Sequence, residues 1–461
     1  MKKIAAFFLL FVMVLGMTAC GAGGGDKEPS SGDKQILTVT VNSSVSETLL
    51  QKKVSEAFEN KMKEKGIDVE IVTSTFSSSS YQKDIMTLYN SGKLGDVITC
   101  SDTNLSFMAM NEYIVDLNEL IDKDSSFDLS AYNSEIIDSG VCYDGGLYYM
   151  PRSYDQVVCF IDVAFFNAIG MGDEIPKADE NGSWDWWTWD KMEELLVKMR
   201  EKITQTYGEV QGTYYYPLDA SFHWGAVYEA VIKSFGGYAV DISTMKSGFD
   251  AENQEAYPQT LKAVKYMKRL VDEDLVALGN DNAFLSTDKR GMFFTTRPNV
   301  AVCMNTGKEL AFAPLPKFTK AQTGLDNGET YVGFGAVGYT INKESEKQDL
   351  AWEYVKFCVS EEGQEIIASA GSSVPTLTAL QTSDATWIQA LKGADGNVIE
   401  QSAFLYDGHK RTMAAYARGV DAADESNIYA EVQRRFVSEL RKDSAENIMA
   451  GIYRAIKLYL K

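Results

Sequence analysis

Apolar residues near the start of the globular part of the chain alternate between the period of a strand and the period of a helix. The predicted strands are 36–41, 67–71 and 96–99, and the predicted helices between them are 47–65 and 81–91. Each helical stretch repeats its apolar residues every three or four positions and is closed by a glycine. Strands that alternate with helices in this order predict a parallel sheet covered by crossover helices, which is an α/β fold.

The middle of the chain is rich in aromatic residues and mostly helical. Four of the seven tryptophans lie in 184–189, where Thr188 can cap the helix that follows. Further helices are predicted over 224–235 and 257–272, and the chain then returns to strand-like sequence over 292–304. An α/β part, a helical part and a return to strands predict two lobes with more than one crossing between them.

The N-terminal residues have the pattern of an export signal. Lys2 and Lys3 precede an apolar run over 4–14, and small residues then lead to Cys20. This arrangement resembles the bacterial lipobox, in which the cysteine receives a diacylglycerol thioether and becomes the new N-terminus. The apolar run is too short to span a membrane, so we expect an extracytoplasmic protein anchored by lipid to the outer face of the cytoplasmic membrane. A plain secretory signal with an incidental cysteine is the alternative.

The chain is strongly acidic, and its charge argues against some partners. Its 44 Lys and Arg residues against 65 Asp and Glu residues give a net charge of −21. Such a charge repels nucleic acid and anionic lipid headgroups. Six cysteines are present; the five other than Cys20 are odd in number and form no CxxC motif. We therefore expect buried free thiols, and neither a zinc site nor a redox motif.

The loops after the predicted strands carry short polar side chains and lack a phosphate-binding motif. No GxGxxG follows the first strand, and no GxxxxGK[ST] occurs. Open α/β sheets bind ligands beyond the C-terminal ends of their strands. This rule makes Asn42, Ser43, Ser101 and Asp102 candidate contacts for a neutral polar ligand, although ordinary turn and cap chemistry explains each of them equally well.

The common hydrolytic motifs do not occur in this chain. Its two histidines, His223 and His409, lie in no HExxH sequence, and no GxSxG is present. A glycosidase needs only two carboxylates, which an acidic chain can supply. The segment 122–128 has the acidic spacing of a calcium loop, but Phe127 stands where an EF-hand needs glycine. We predict a protein that is not an enzyme, with no cofactor and no metal; a glycoside-active enzyme is the alternative.

Several short landmarks follow one another in an order that resembles the extracellular solute-binding proteins of carbohydrate ABC importers (family 1). They include a G-x-x-Y-x-x-P segment at 145–151, a T-W-D helix start at 188–190, an A-P-L-P segment at 313–316 and an A-W-x-x-V-K-F helix at 351–357. The resemblance runs from residue 36 to the C-terminus. It implies two α/β lobes joined by a hinge, with an interlobe cleft that closes on a sugar or oligosaccharide.

The resemblance also sets the expected division of the chain. The parts are a lipoprotein signal peptide (1–19), a flexible tether (20–34), the first part of lobe 1 (35–151), the first part of lobe 2 (152–290), a return to lobe 1 (291–342) and a C-terminal helical part of lobe 2 (343–461). We expect the chain to cross between the lobes near Pro151 and again near Asn342.

The same resemblance implies which residues line the cleft. Arg152, Tyr154 and Asp155 follow Pro151 at the crossing and suit hydrogen bonding to sugar hydroxyls, with hinge-strand structure as the alternative. Trp224 is expected to stack on a sugar face, with core packing as the alternative. The remaining candidates are Trp184 at the lip, Gly237 and Tyr238 at a helix end, and Gly333 and Phe334 on a glycine-rich return strand.

The landmarks imply a component of an importer that acts as a monomer. Its expected partners are a sugar, the permease subunits of an ABC importer and the membrane, reached through Cys20. A ligand-sensing lobe for a membrane receptor is a further alternative, and nothing within the sequence separates it from an importer component.

Overall fold

The computed structural model describes residues 34–77, 80–142, 144–209, 215–241, 243–278, 283–287, 289–326, 328–369, 373–393, 396–413 and 422–460. Cys20 and the predicted signal lie outside the described residues. The strands are β1 Gln35–Asn42, β2 Val69–Phe76, β3 Val97–Ser101, β4 Met150–Gln156, β5 Val158–Asp162, β6 Tyr216–Asp219, β7 Val240–Asp241, β8 Lys246–Ser247, β9 Arg290–Thr295, β10 Leu310–Pro314, β11 Tyr331–Ile341, β12 Val374–Pro375 and β13 Lys410–Met413. The helices are α1 Val45–Glu64, α2 Tyr81–Asn90, α3 Asp102–Met110, α4 Asn118–Ile121, α5 Ser134–Ile137, α6 Val163–Ala168, α7 Trp189–Tyr207, α8 Gly225–Ser234, α9 Tyr257–Asp272, α10 Ala283–Ser286, α11 Pro298–Asn305, α12 Lys320–Thr323, α13 Gln348–Val359, α14 Glu361–Ser369, α15 Thr386–Gln389, α16 Ala422–Glu439 and α17 Ala445–Ile456.

The first lobe is built on a mixed sheet. Within the described part of the chain it has seven strands, in the order β12-β4-β11-β3-β1-β2 with β13 beside β11. β1 pairs in parallel with β2 and with β3, as the alternation of strands and helices predicts. β11 runs antiparallel to both β3 and β4, so the returning strand lies in the middle of the sheet.

The second lobe is built on a smaller sheet. Its four strands, counted over the described residues, run in the order β10-β5-β9-β6. Helices that are far apart in the sequence close its apolar core: α7, α8, α9 and α17 contribute Met199, Val231, Leu270 and Ile452. Val157 alone separates β4 of the first sheet from β5 of the second, so one crossing between the lobes is a single residue long.

The division of the chain between the two sheets differs from the expected boundaries. β9 and β10 belong to the second sheet, and within 291–342 only β11 belongs to the first. Helices α13 and α14 pack on the first sheet through Val355 and Ile367, whereas α16 and α17 join the core of the second lobe. The chain therefore crosses at Val157, between β10 and β11, and between β13 and α16. Long-range strand pairing decides this division, and the order of the landmarks does not show it.

The prediction of strand-like structure over 292–304 is wrong in its second half. β9 ends at Thr295, and a helix begins at Pro298. Proline is favoured in the first turn of a helix because its missing N–H has no partner there in any case. The apolar residues after Pro298 therefore continue as a helix, and Val300 and Cys303 form its buried side.

The start of α7 and the burial of the cysteines agree with what the sequence predicts. The Thr188 hydroxyl accepts a hydrogen bond from the backbone N–H of Lys191 at the start of α7, as expected of an N-cap. The five described cysteines are buried thiols, as the sequence predicts. Burial raises the pKa of the Cys303 thiol to about 11, so this thiol is uncharged at neutral pH.

None of the described helices has the length and apolarity needed to cross a bilayer.

Candidate functional site

A cleft of about 480 Å³ lies between the two lobes, where the crossing strands meet the ends of several helices. The first lobe contributes the start of α1 and the end of β3, and the second lobe contributes the start of α8 and the turn before α11. The crossing strands β4 and β11 form the floor. The lining residues are Ser44, Glu47, Ser101, Asp102, Thr103, Arg152, Ser153, Tyr154, Asp155, Val157, Trp224, Ala226, Thr296, Pro298, Gly333, Phe334, Gly335, Ala336, Val337 and Ser373.

Arg152 on β4 is committed to partners within the first lobe. Its Nη2 atom lies 2.6 Å from Glu47 Oε2, and its Nη1 atom donates to the Tyr339 hydroxyl at 2.9 Å. Burial alone would lower the pKa of Arg152, but the Glu47 carboxylate and Tyr339 raise it above its usual value. The guanidinium is therefore a neutralised structural cation that helps to fix α1 against β4; its Nε atom is buried and has no partner among the described residues.

Asp155, on the same strand, has the opposite character. Its Oδ1 atom is buried and has no hydrogen-bond partner among the described residues. Burial raises the pKa of Asp155 well above its usual value, and the positive charge of Arg297 offsets part of that effect. A buried carboxyl oxygen without a partner costs free energy until a donor reaches it. The lining of the cleft thus contains a hydrogen-bonding group that is ready for a ligand.

Tyr154 lies between these two residues and is almost fully buried. The Arg411 guanidinium carbon lies 5.6 Å from the centre of its ring. Burial raises the pKa of Tyr154 to about 12, so its hydroxyl is protonated at neutral pH. Tyr154 therefore offers a rigid aromatic wall where β4 leaves the first lobe.

Ser101 and Asp102 stand where β3 ends and α3 begins. The Ser101 hydroxyl lies 2.8 Å from the Thr103 hydroxyl and accepts from Asn104 Nδ2 at 2.9 Å. One Asp102 oxygen accepts from the backbone N–H of Thr103, and the other lies 3.5 Å from the point that a Cβ atom would occupy at Gly335. The Asp102 carboxylate therefore lies over the floor of the cleft at Gly335.

Two glycines of β11 have different reasons to be glycine. A Cβ atom at Gly333 would lie 1.9 Å from the backbone oxygen of Ala226, so this residue permits close contact between β11 and α8. Gly335 has open space above it, and the nearest atoms are those of the Asp102 carboxylate. Gly335 therefore leaves more room for a ligand than Gly333 does. Phe334 between them is buried and lines the cleft.

Trp224 lies on the side of the second lobe, just before α8. It is half-buried, packs against the core of the second lobe and lines the cleft. Its position at the helix start is fixed from behind, because the backbone N–H of the next residue, Gly225, donates to the Tyr429 hydroxyl at 3.3 Å. A tryptophan held in this way presents a rigid apolar face opposite the polar groups of β4.

The other predicted residues lie away from this cleft. Trp184 is buried in the core of the second lobe and lines a separate cavity. Gly237 packs against Thr260, and the Tyr238 hydroxyl accepts from Asn253 Nδ2 at 2.8 Å. Asn42 and Ser43 precede the lining residue Ser44 without lining the cleft themselves.

Asn42 instead explains why Glu47 reaches the cleft. Ser44 and Glu47 have the S-x-x-E spacing of a capping box, in which the glutamate returns to the backbone N–H of the serine. In this chain Asn42 Oδ1 accepts that N–H at 2.8 Å, so the Glu47 side chain is available to pair with Arg152. The spacing could have drawn attention to Glu47, but nothing local in the sequence indicates its partner.

Comparisons with known proteins agree with this architecture. A model of the bacterial extracellular solute-binding protein family matches residues 43–365. An ABC substrate-binding protein from Listeria monocytogenes, solved in complex with cycloalternan, is 16% identical over 92% of this chain and 100% of that chain, with a TM-score of 0.67. The cyclic alpha-maltosyl-1,6-maltose binding protein of Arthrobacter globiformis is 14% identical over 93% and 100%, with a TM-score of 0.69.

A third similar structure was solved with a ligand that is not a sugar. UgpB from Mycobacterium tuberculosis, in complex with glycerophosphocholine, is 13% identical over 92% of this chain and 98% of that chain, with a TM-score of 0.67. At such identities the likeness shows a shared two-lobed fold. The identity of a ligand has to be argued from the residues of the cleft.

Proposed function

The chain belongs to the family of bacterial extracellular solute-binding proteins, and we propose that it captures a sugar or oligosaccharide in the cleft between its two lobes and delivers it to the permease of an ABC importer. The family match confirms the resemblance inferred from the landmarks, and the α/β two-lobed fold is confirmed with it. The expectation of a binding protein that is not an enzyme agrees with the family and with its structural neighbours.

The observation that carries the proposal is the pairing of an aromatic face with polar groups across the cleft. Trp224 offers an apolar surface from the second lobe, and Asp102 and Asp155 offer carboxyl oxygens from the first lobe and the crossing. Sugars present apolar C–H faces and hydroxyl edges, which these two kinds of surface complement. Arg152 in the lining and Arg297, whose charge acts on Asp155, are already hydrogen-bonded within the protein, which favours an uncharged ligand over a phosphorylated one.

A binding panel tests this proposal. The purified protein is mixed with maltotetraose, a cyclic glucan, shorter sugars and glycerophosphocholine, and binding is measured by thermal shift and then calorimetry. We expect saturable binding of at least one neutral saccharide and none of glycerophosphocholine. Binding of glycerophosphocholine alone would contradict the assignment to sugars.

The same mixtures separate the binding protein from its enzymatic alternative. Asp102 and Asp155 both line the cleft, burial raises the pKa of Asp155, and a glycosidase also works with two carboxyl groups. We expect the bound sugar to be recovered intact by chromatography after long incubation. Catalytic accumulation of a shorter sugar would favour the glycoside-active enzyme.

We further propose that the protein is anchored by a diacylglyceryl group on Cys20 and acts as a monomer outside the cell. The support is the apolar run 4–14, the small residues that precede Cys20 and the polar tether that follows it. Mass spectrometry of membrane-extracted protein should find a lipidated N-terminal cysteine, and Cys20→Ser should release the protein from the membrane fraction. Retention of the Cys20→Ser protein in that fraction would argue against this anchor.

Delivery to an importer is tested in cells. Deleting the gene should abolish growth on the sugar identified by the panel, and neighbouring genes should encode permease subunits. A neighbouring membrane receptor, with sugar uptake unaffected by the deletion, would favour the sensing role.

A further inference from the structure

A second cavity, outside the interlobe cleft, lies along the outer edge of β10. Its volume is about 880 Å³, within the range of about 300–1,000 Å³ that is typical of ligand sites. One wall is the segment 307–312, which includes most of β10. The opposite walls are the loop 175–184 and parts of the segment 383–402, and the apolar lining includes Trp184, Met304 and Ile399.

The hydrogen-bond register of β10 shows which of its backbone groups face this cavity. β10 is the outermost strand of its sheet and pairs only with β5 among the described strands. The backbone N–H of Val163 donates to the oxygen of Glu309 at 2.9 Å, which fixes Glu309 as a residue bonded toward β5. Because the bonding direction alternates along an antiparallel strand, the N–H and C=O groups of Leu310 and Phe312 point outward.

The outward backbone groups of Leu310 and Phe312 lack hydrogen-bond partners among the described residues, whereas the outward side of Pro314 leaves no group unsatisfied. Neither Leu310 nor Phe312 has an outward hydrogen-bond partner among the described residues. At Pro314 there is no N–H to satisfy, and the Pro314 oxygen accepts from Trp187 Nε1 at 3.0 Å. One end of the edge is therefore protected by a proline and an indole, and the end beside the cavity is unprotected.

Trp184, which also lines this cavity, carries a further donor without a partner among the described residues. The Trp184 side chain is buried, with 3% of its surface exposed, yet its Nε1 atom has no hydrogen-bond partner within the described chain. Burying an indole N–H without an acceptor is unfavourable. The neighbouring Trp186 has no such defect, because its Nε1 atom donates to the oxygen of Lys177 at 3.2 Å.

We propose that this cavity binds an extended peptide segment of a partner protein, which adds to β10 as a further strand. The open donors and acceptors of Leu310 and Phe312 repeat every second residue, about 7 Å apart at the usual rise of a strand, and only another peptide backbone has that repeat of complementary groups. The apolar lining receives small or branched apolar side chains, and the Trp184 indole donates to a carbonyl of the same segment. The proposal does not depend on sugar binding in the interlobe cleft.

A labelled peptide tests the backbone pairing directly. The probe is acetyl-Thr-Val-Thr-Val-Thr-amide with a fluorescein on a flexible linker, and its matched control carries N-methyl groups on both valines. Fluorescence polarisation with the purified protein should show saturable binding of the first peptide. The methylated peptide should bind about tenfold more weakly or worse, because it loses backbone donors and adds bulk at the paired edge.

Two tryptophan variants locate the site. Trp184→Phe keeps the aromatic ring and removes its donor, so peptide affinity should fall roughly two- to tenfold, the usual worth of one hydrogen bond. Trp186→Phe, in the same loop, should leave the affinity unchanged. Saturating sugar should not displace the peptide.

Several results would overturn the proposal. These are the absence of saturable binding to the wild-type protein, equal affinity for the two peptides, or displacement by sugar. The comparison of the two peptides uses the wild-type protein, so it remains decisive if Trp184→Phe fails to fold.

Discussion

Arg152 and Asp155 are charged neighbours on one strand, and their partners give them different roles. The Arg152 guanidinium is neutralised by Glu47 and held by Tyr339, so it stabilises the wall of the cleft. The Asp155 carboxyl is left with an open oxygen, so it is available to a ligand. Charge alone does not separate a structural side chain from a binding one; the number of satisfied hydrogen bonds does.

The first prediction concerns Trp224. Trp224→Ala removes the aromatic face of the second lobe, and a buried aromatic contact is worth roughly 1–3 kcal/mol. Affinity for the sugar found in the panel should therefore fall about tenfold or more, as measured by calorimetry. Trp186→Ala is the control, because Trp186 is 41% exposed and lies outside the cleft. A large fall in melting temperature with unchanged affinity would show that Trp224 is a core residue.

The second prediction concerns the pH dependence of stability at Asp155. Its pKa in the folded, unliganded protein is raised above the unfolded value by burial. A raised carboxyl pKa leaves stability unaffected below the unfolded pKa, near 4, and lowers it as the pH rises from there through the folded pKa. The melting temperature of Asp155→Asn relative to wild type should therefore increase with pH from about 4 upward. A difference that stays constant over this range would contradict the assignment.

At the scale of single elements, β11 is the strand that joins the two halves of the site. Gly333 packs closely against α8, and Gly335, two residues further along the strand, leaves space for a ligand. The run 333–338 reads GxGxxG, but it lies within a strand with no helix after it, so it does not form the turn that binds a dinucleotide.

A matched pair of variants on β11 separates these two roles and provides the third prediction. Gly333→Ala forces a methyl group against the backbone of α8, and such overpacking costs about 1–3 kcal/mol, so the melting temperature should fall clearly. Gly335→Ala has room for the methyl group, so stability should be retained while sugar affinity falls. Thermal unfolding and calorimetry on both proteins check this. Equal loss of stability in the two would show that the floor at Gly335 is not open.

The sequence predicts those elements whose signal is local. The α1 and α2 helices and the three parallel strands beside them follow from hydrophobic periods within a few residues. β12 and β13 consist of two and four residues, and they exist because they pair with distant strands, which no local pattern records. Similarly, the family landmarks predict Asp155 and Trp224 as ligand contacts, whereas Glu47, Thr296 and Ser373 line the cleft because of contacts with residues far along the chain.

At the scale of the whole molecule, the order of the described strands and helices gives three crossings between the two lobes, with the cleft between them. One crossing is the single residue Val157 between β4 and β5, and another leads into β11, which forms the floor of the cleft. A hinge built from element ends can absorb the rotation of one lobe relative to the other. We therefore expect closure of the lobes to bring Trp224 closer to the carboxyl groups of the first lobe.

The fourth prediction is closure of the lobes on the ligand. Small-angle scattering should give a smaller radius of gyration with saturating sugar than without it, because closure moves the lobes together. Trp224→Ala at saturating sugar is the informative comparison, since it removes a contact made across the cleft. An unchanged radius in a sample whose binding is confirmed by calorimetry would indicate a cleft that is already closed.

The placement of α16 and α17 has a consequence for how the protein folds. These helices come late in the sequence, yet they complete the core that β5 and α7 begin, and the first sheet likewise needs β11 and β12 from well after its first strands. Neither lobe can bury its apolar residues until nearly the whole polypeptide is available, and contacts so distant in sequence form slowly. If the chain is exported, as proposed from its N-terminal pattern, we expect this order of connection to delay folding until both lobes have all their parts.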